Sequence, residues 1–149
     1  MMPSHNFLII NKQRGTVQEK VIGSIEQGVV LFLGIHAEDH QKSCLDLALK
    51  VASLRIFEDE HGKINKSVEA ICGKFLVISQ FTLYGDCTSG RRPSFTEAMN
   101  PKDALIFYET FIHHLRESVG ADRVECGAFG AHMEVHLVND GPFTLLISK

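Results

Sequence analysis

Four stretches of this chain have residue types and spacing suited to chemistry. Ser79-Gln80-Phe81-Thr82-Leu83-Tyr84 sets hydroxyls and an amide among aromatics, directly after the apolar run Phe75 to Ile78. Polar groups at the mouth of an apolar pocket orient a water or polarise a carbonyl. A strand that simply exits to solvent would read the same way. Gly90-Arg91-Arg92-Pro93 places two guanidinium groups in a polar loop. Adjacent guanidiniums suit phosphate oxygens, although a solvated loop is the plainer reading. Asn139-Asp140-Gly141-Pro142-Phe143-Thr144 is turn chemistry with a proline between two predicted strands. A Gly-Pro bond adopts the cis form at low cost. The turn is either a hairpin or a rigid loop that aims carbonyls at a ligand. Gly127-Ala128-Phe129-Gly130-Ala131 is a glycine-rich connection with one aromatic ring, on which a flat base can stack.

Other chemistries find no support. His132-Met133-Glu134-Val135-His136 is not a metalloprotease helix, because its Glu sits one place too late. Read as a strand, His132, Glu134 and His136 share a solvated face over a core face of Met133, Val135 and Leu137. His113 and His114 lie on a helix beside core candidates, and local spacing assembles no Ser-His-Asp triad. There is no Gly-x-Ser-x-Gly elbow. Cys44, Cys72, Cys87 and Cys126 form no Cys-x-x-Cys pair and fit no zinc pattern. Free thiols in a chain of this size fit a reducing cytoplasm. No metal and no cofactor are expected.

The elements that must position these groups come from 149 residues, of which 44% are hydrophobic and 22% charged. That is ordinary globular composition, and one domain over 1–149 is expected. With 15 Lys and Arg against 18 Asp and Glu, the net charge is −3. Such a balance argues against coating long stretches of nucleic acid, DNA included, but allows a small basic patch. No apolar run approaches the roughly 18 residues that span a bilayer. Met1 to Ile10 lacks the features of a signal peptide. A cytoplasmic protein with no membrane partner is expected.

Strands are predicted at Phe7–Asn11, Thr16–Ile22, Gly28–Ile35 and Lys74–Ser79, with extended chain at Leu54–Phe57. Three more close the chain at Arg123–Cys126, Met133–Val138 and Phe143–Ile147. Asp39 offers a cap to a helix over about 41–53, whose apolar face includes Cys44. Asn100-Pro101 starts a second helix and Gly120 stops it, with Ala104, Tyr108, Phe111, Ile112, Leu115 and Val119 on one face. The class is α+β: a curled sheet or small barrel with two helices packed on it.

Taken together, the motifs resemble the D-aminoacyl-tRNA deacylase family. The resemblance is carried by Ser79 to Tyr84, by Gly90-Arg91-Arg92-Pro93-Ser94-Phe95, and by Asn139-Asp140-Gly141-Pro142 with Thr144. Leu54-Arg55-Ile56-Phe57, Gly62-Lys63 and Gly127 through Met133 add to it, in matching order from about Gly23 to the C-terminus. It implies a homodimer, with active sites at the interface, that frees a D-amino acid or glycine from the 3′-terminal adenosine of tRNA as a proofreading step in translation. It implies that Ser79, Gln80, Phe81 and Thr82 line the pocket. Asn139, Gly141 and Pro142 would form a chirality filter reaching in from the partner subunit. Phe129, Gly130, Ala131 and Met133 would lie near the adenosine. Arg91 and Arg92 would then meet a phosphate of the tRNA end. The first strand lacks the Arg-Val-x-x-Ala opening usual in the family, and Ala128 and His132 stand where basic and acidic residues are usual. Phe143 after Pro142 is similar to an animal paralogue with a trans Gly-Pro bond, which also clears L-alanine. A cis Gly141–Pro142 bond would favour D-selectivity and a trans bond the relaxed alternative. A catalytically silent tRNA-end binding module is the remaining alternative.

Overall fold

The computed structural model describes residues 7–11 and 20–148. In chain order the elements are β1 (Phe7–Asn11), β2 (Lys20–Ile25), β3 (Gly28–Leu33), α1 (Gln41–Ser53), β4 (Arg55–Glu58), β5 (Ile64–Ser67), β6 (Lys74–Ser79), α2 (Pro101–Val119), β7 (Val124–Cys126) and β8 (Met133–His136). Three strands, β3-β6-β7, form a parallel sheet with β6 in the middle. A second sheet, β2-β1-β8, is antiparallel, and β4-β5 is a separate hairpin.

The central strand explains the layering. On β6, Phe75 and Val77 join a core with Cys44, Ala48 and Val51 of α1 and Ala104, Tyr108, Phe111, Ile112 and Leu115 of α2. Leu76 and Ile78, on the opposite face, pack with Ile25 and, partly buried, Val30, Met133 and Val135. A strand covered on both faces is apolar at every position, which is why Phe75 to Ile78 shows no alternation. The result is three layers: helices, parallel sheet, antiparallel sheet. This is the expected α+β class with two helices on the β layers.

Local chemistry sets the ends of α2. Asn100 Oδ1 accepts from the Asp103 N–H at 3.1 Å, and Pro101 occupies the first turn. Gly120, at φ 100°, ends it. The N-cap of α1 differs from expectation. His40 holds that place without a side-chain bond, because the Asp39 carboxylate turns back to accept from the His36 N–H at 2.8 Å. Burial of Cys44 in the helix core pushes its thiol up to about 11, so it carries no thiolate at neutral pH. All four cysteines are free.

Four further expectations shift. The strand predicted over Thr16–Ile22 falls partly on residues 12–19, outside the described residues, and the observed strand is Lys20–Ile25. Arg123 belongs to a 3-10 turn, Ala121–Arg123, ahead of β7. The strand predicted from Met133 ends at His136. Phe143 to Ile147 joins no sheet among the described residues, and Leu146 is 89% exposed. Its β-forming residues make it able to pair, but a strand also needs an edge to pair with. The β5 strand was not foreseen at all. No helix among the described residues is long and apolar enough to cross a membrane.

Candidate active site at the carboxyl ends of the parallel strands

The parallel register brings three chain exits together. Leu33 pairs with Ser79, and Val77 with Cys126, so β3, β6 and β7 end at one sheet edge. Ligands of open parallel sheets bind outside such carboxyl ends. From β6, the Gln80 N–H donates to Leu33 O at 2.8 Å, and Phe81–Tyr84 then form a 3-10 turn. The first N–H groups of such a turn have no partner inside it, which leaves those of Phe81 and Thr82 as donors at the edge. Gln80 Nε2 donates to Thr82 Oγ1. Phe81 is 58% exposed and meets Phe95 edge-on at 5.1 Å. That contact ties the turn to the arginine loop, whose base is pinned by a pair of bonds between Asp86 and Ser94 at 2.7 and 2.9 Å. Arg91 and Arg92 are both exposed.

Sequence reading missed the β3 exit. A Cβ on Gly34 would sit 3.1 Å from both Leu83 Cβ and Tyr84 Cε2, so glycine lets the 3-10 turn lie across the end of β3. The Tyr84 ring then meets His36 at 5.2 Å. Burial raises the Tyr84 hydroxyl above its ordinary value, so it stays neutral and able to donate. The one available signal was a glycine between an apolar strand and a polar turn.

The β7 exit is clasped to β6. The Gly127 N–H donates to Val77 O at 2.9 Å. The Tyr108 hydroxyl donates to the same carbonyl at 2.9 Å and lies 3.3 Å from Gly127 O. Phe129 is half-buried with its ring 5.5 Å from that of Tyr108. Gly130, at φ 71°, and Ala131 follow in the turn, while Met133 is drawn into the core between the sheets. The sheet edge therefore gathers Ser79, Gln80, Phe81, Thr82 and Phe129. The Asn139–Thr144 turn is braced from within instead. Asn139 Oδ1 accepts from the Phe143 N–H at 2.9 Å, and Asn139 Nδ2 donates to Thr144 Oγ1 at 2.9 Å. It presents Gly141 and Pro142 to solvent, and the bond between them is cis, the isomer named above for D-selectivity. Among the described residues no group of three or more His, Cys, Asp or Glu could hold a metal ion. His136 and Glu134 instead pair at 3.7 Å on β8.

The chain is thus an α+β layered protein with an open polar turn and exposed loop guanidiniums at one sheet edge. A family model described as D-Tyr-tRNA(Tyr) deacylase matches residues 10–148, and the chain belongs to that family. It is 51% identical over 140 residues to the D-aminoacyl-tRNA deacylase of Thermotoga petrophila, covering 94% of this chain and 93% of the relative. The protein of the same name from Halalkalibacterium halodurans is 53% identical over 134 residues, 90% of each chain. Among solved structures, a c-Myc DNA unwinding element binding protein superposes with a TM-score of 0.83 at 38% identity, covering 97% of this chain and 99% of that one. A probable eukaryotic D-amino acid tRNA deacylase shares the fold, with a TM-score of 0.70 at 16% identity over 91% and 94% of the two chains.

Proposed function

We propose that this chain, as one deacylase domain, hydrolyses the ester between a D-amino acid, or glycine, and the 3′-terminal adenosine of tRNA, proofreading translation in the cytoplasm. One observation carries this: relatives of that name share about half of their residues with it over nine-tenths of both chains. The DNA element in the name of the neighbour at 38% identity is the less favoured partner. A net charge of −3 and one pair of loop arginines suit a short single-stranded end better than a long duplex.

The chemistry needs little from the protein. An aminoacyl ester is already activated, so orienting a water and stabilising the oxyanion suffice. The N–H groups of Phe81 and Thr82 are the oxyanion donors in this reading, with Ser79 and Gln80 lining the pocket. Thr82 is a poor nucleophile, because the partner of its oxygen is an amide donor that cannot take a proton. Thr82→Ala is therefore expected to keep activity within about tenfold of the native protein, the scale of one lost hydrogen bond. Single-turnover deacylation checks this, and complete loss with tRNA binding intact would contradict it.

Phe129, Gly130 and Ala131 receive the adenosine, with Met133 behind them in the core between the sheets rather than at the surface, and Arg91 and Arg92 meet a phosphate. Selectivity comes from the Asn139–Thr144 turn. An enzyme that accepts many side chains must grip the α-amino group and leave the side chain free, which the Gly141 and Pro142 carbonyls can do. Two copies complete the site, with the turn of one reaching into the pocket of the other. The exposed apolar run at Leu137, Val138, Phe143, Leu145 and Leu146, and Phe81 at the site itself, supports such a homodimer.

A further inference from the structure

We propose that Phe95 is a positioning residue for the hydrolysis, its ring holding the Phe81–Tyr84 turn where Phe81 and Thr82 meet the ester. This rests on the deacylase reading above.

The turn does little to hold itself. It is four residues long, and Phe81, Thr82 and Leu83 are all exposed. Inside it, the Leu83 N–H donates to Gln80 O at 3.2 Å and the Gly85 N–H to Thr82 O at 3.0 Å. Hydrogen bonds of a 3-10 turn have poorer geometry than those of an α-helix. One side of the turn lies over Gly34, and the other meets Phe95. The rings of Phe81 and Phe95 stand 5.1 Å apart at 69°, the edge-to-face arrangement that aromatic pairs favour.

Gly85 reveals how close this seat is. Its φ of −71° and ψ of 115° are extended backbone that any residue adopts, so conformation does not call for glycine there. Space does. A Cβ would lie 2.9 Å from Phe95 Cε1 and 3.0 Å from Thr82 O. The ring, the glycine and the carbonyl that closes the turn thus share one contact, and a methyl group would push them apart.

Phe95 is itself anchored on both sides. Before it, Ser94 exchanges its two bonds with Asp86. After it, the Ala98 N–H donates to Phe95 O at 3.1 Å. The Ala37 N–H then donates to Glu97 O and the Met99 N–H to Ile35 O, both at 2.9 Å. Those last bonds lace the segment to the chain leaving β3. A ring carried on backbone tied to the parallel sheet therefore braces an exposed turn. Displacing that turn weakens contacts made to the reacting carbonyl, which lowers the rate of the chemical step rather than binding.

The test is single-turnover hydrolysis of a D-aminoacyl ester of adenosine by excess full chain. This ester has no phosphate, so Arg91 and Arg92 do not enter. Phe95→Ala should lower the maximal rate about tenfold, the upper worth of one aromatic pair, at an unchanged half-saturating protein concentration. Gly85→Ala, which reaches the same contact from the turn, should do likewise. A ring that only stabilises the fold would raise the half-saturating concentration and leave the maximal rate alone. That outcome, or a native maximal rate in either variant, overturns the proposal. If the native chain does not release the amino acid, the deacylase reading fails and this inference with it. An active native chain whose variants keep the full rate removes the inference alone.

Discussion

Gly141→Ala is expected to lower kcat/KM on D-aminoacyl-tRNA by roughly a hundredfold, the cost of displacing a positioning group by about an ångström. Gly141 has φ 127°, a conformation that L side chains rarely adopt. An added Cβ would lie 3.1 Å from Phe143 N. That N–H donates to Asn139 Oδ1, the bond that braces the turn. Backbone forced into such a region costs about 1–3 kcal/mol. The turn is exposed, so it relieves the strain by moving, and the Gly141 and Pro142 carbonyls move with it. Thermal stability should change little. Steady-state kinetics beside a melting curve checks this, and full activity would remove the turn from the site.

Gly28→Ala should have the largest effect on stability, about 4 kcal/mol or more, a loss reserved for a clash that cannot relax. Its Cβ would sit 1.8 Å from Lys74 O and 2.7 Å from Lys74 C and N. All three are backbone atoms where Gly28 pairs with Lys74, at the start of the β3–β6 ladder. Opening that ladder separates the strands whose far ends build the site. Gly62→Ala is the control: φ is 71° but nothing lies within 4 Å, so only the left-handed backbone is penalised, by about 1–2 kcal/mol. Urea unfolding of the two variants measures the difference, and equal losses would contradict it.

Features decided within a few residues were legible in the sequence. The limits of α2 follow from Asn100, Pro101 and Gly120 acting on their own neighbours. The apolar run Phe75 to Ile78 marks a buried strand, whereas the equally apolar run from Gly28, which reads as a buried central strand, forms the edge strand β3 with Phe32 42% exposed, because β6 takes the centre. Where two local solutions compete, reading fails. Asp39 can cap α1 or accept from His36, and it does the latter. The β5 strand is largely polar and half exposed, and is held to β4 by contacts such as Arg55 Nε to Asn65 O at 2.7 Å rather than by a hydrophobic pattern. The site shows the same division. Its segments stand out one by one as clusters of polar and aromatic types. That the Ser79–Thr82 and Gly127–Phe129 segments meet follows from parallel pairing of β3, β6 and β7, which joins residues far apart in sequence. Gly34 and His36 enter the site only through that pairing.

The most direct test charges one tRNA with the D- and L-forms of one amino acid and follows release of each at low enzyme concentration. Rapid release of the D-amino acid is expected, with release of glycine from its own tRNA and the L-ester left intact. Equal release of both enantiomers, or release of neither, would contradict this.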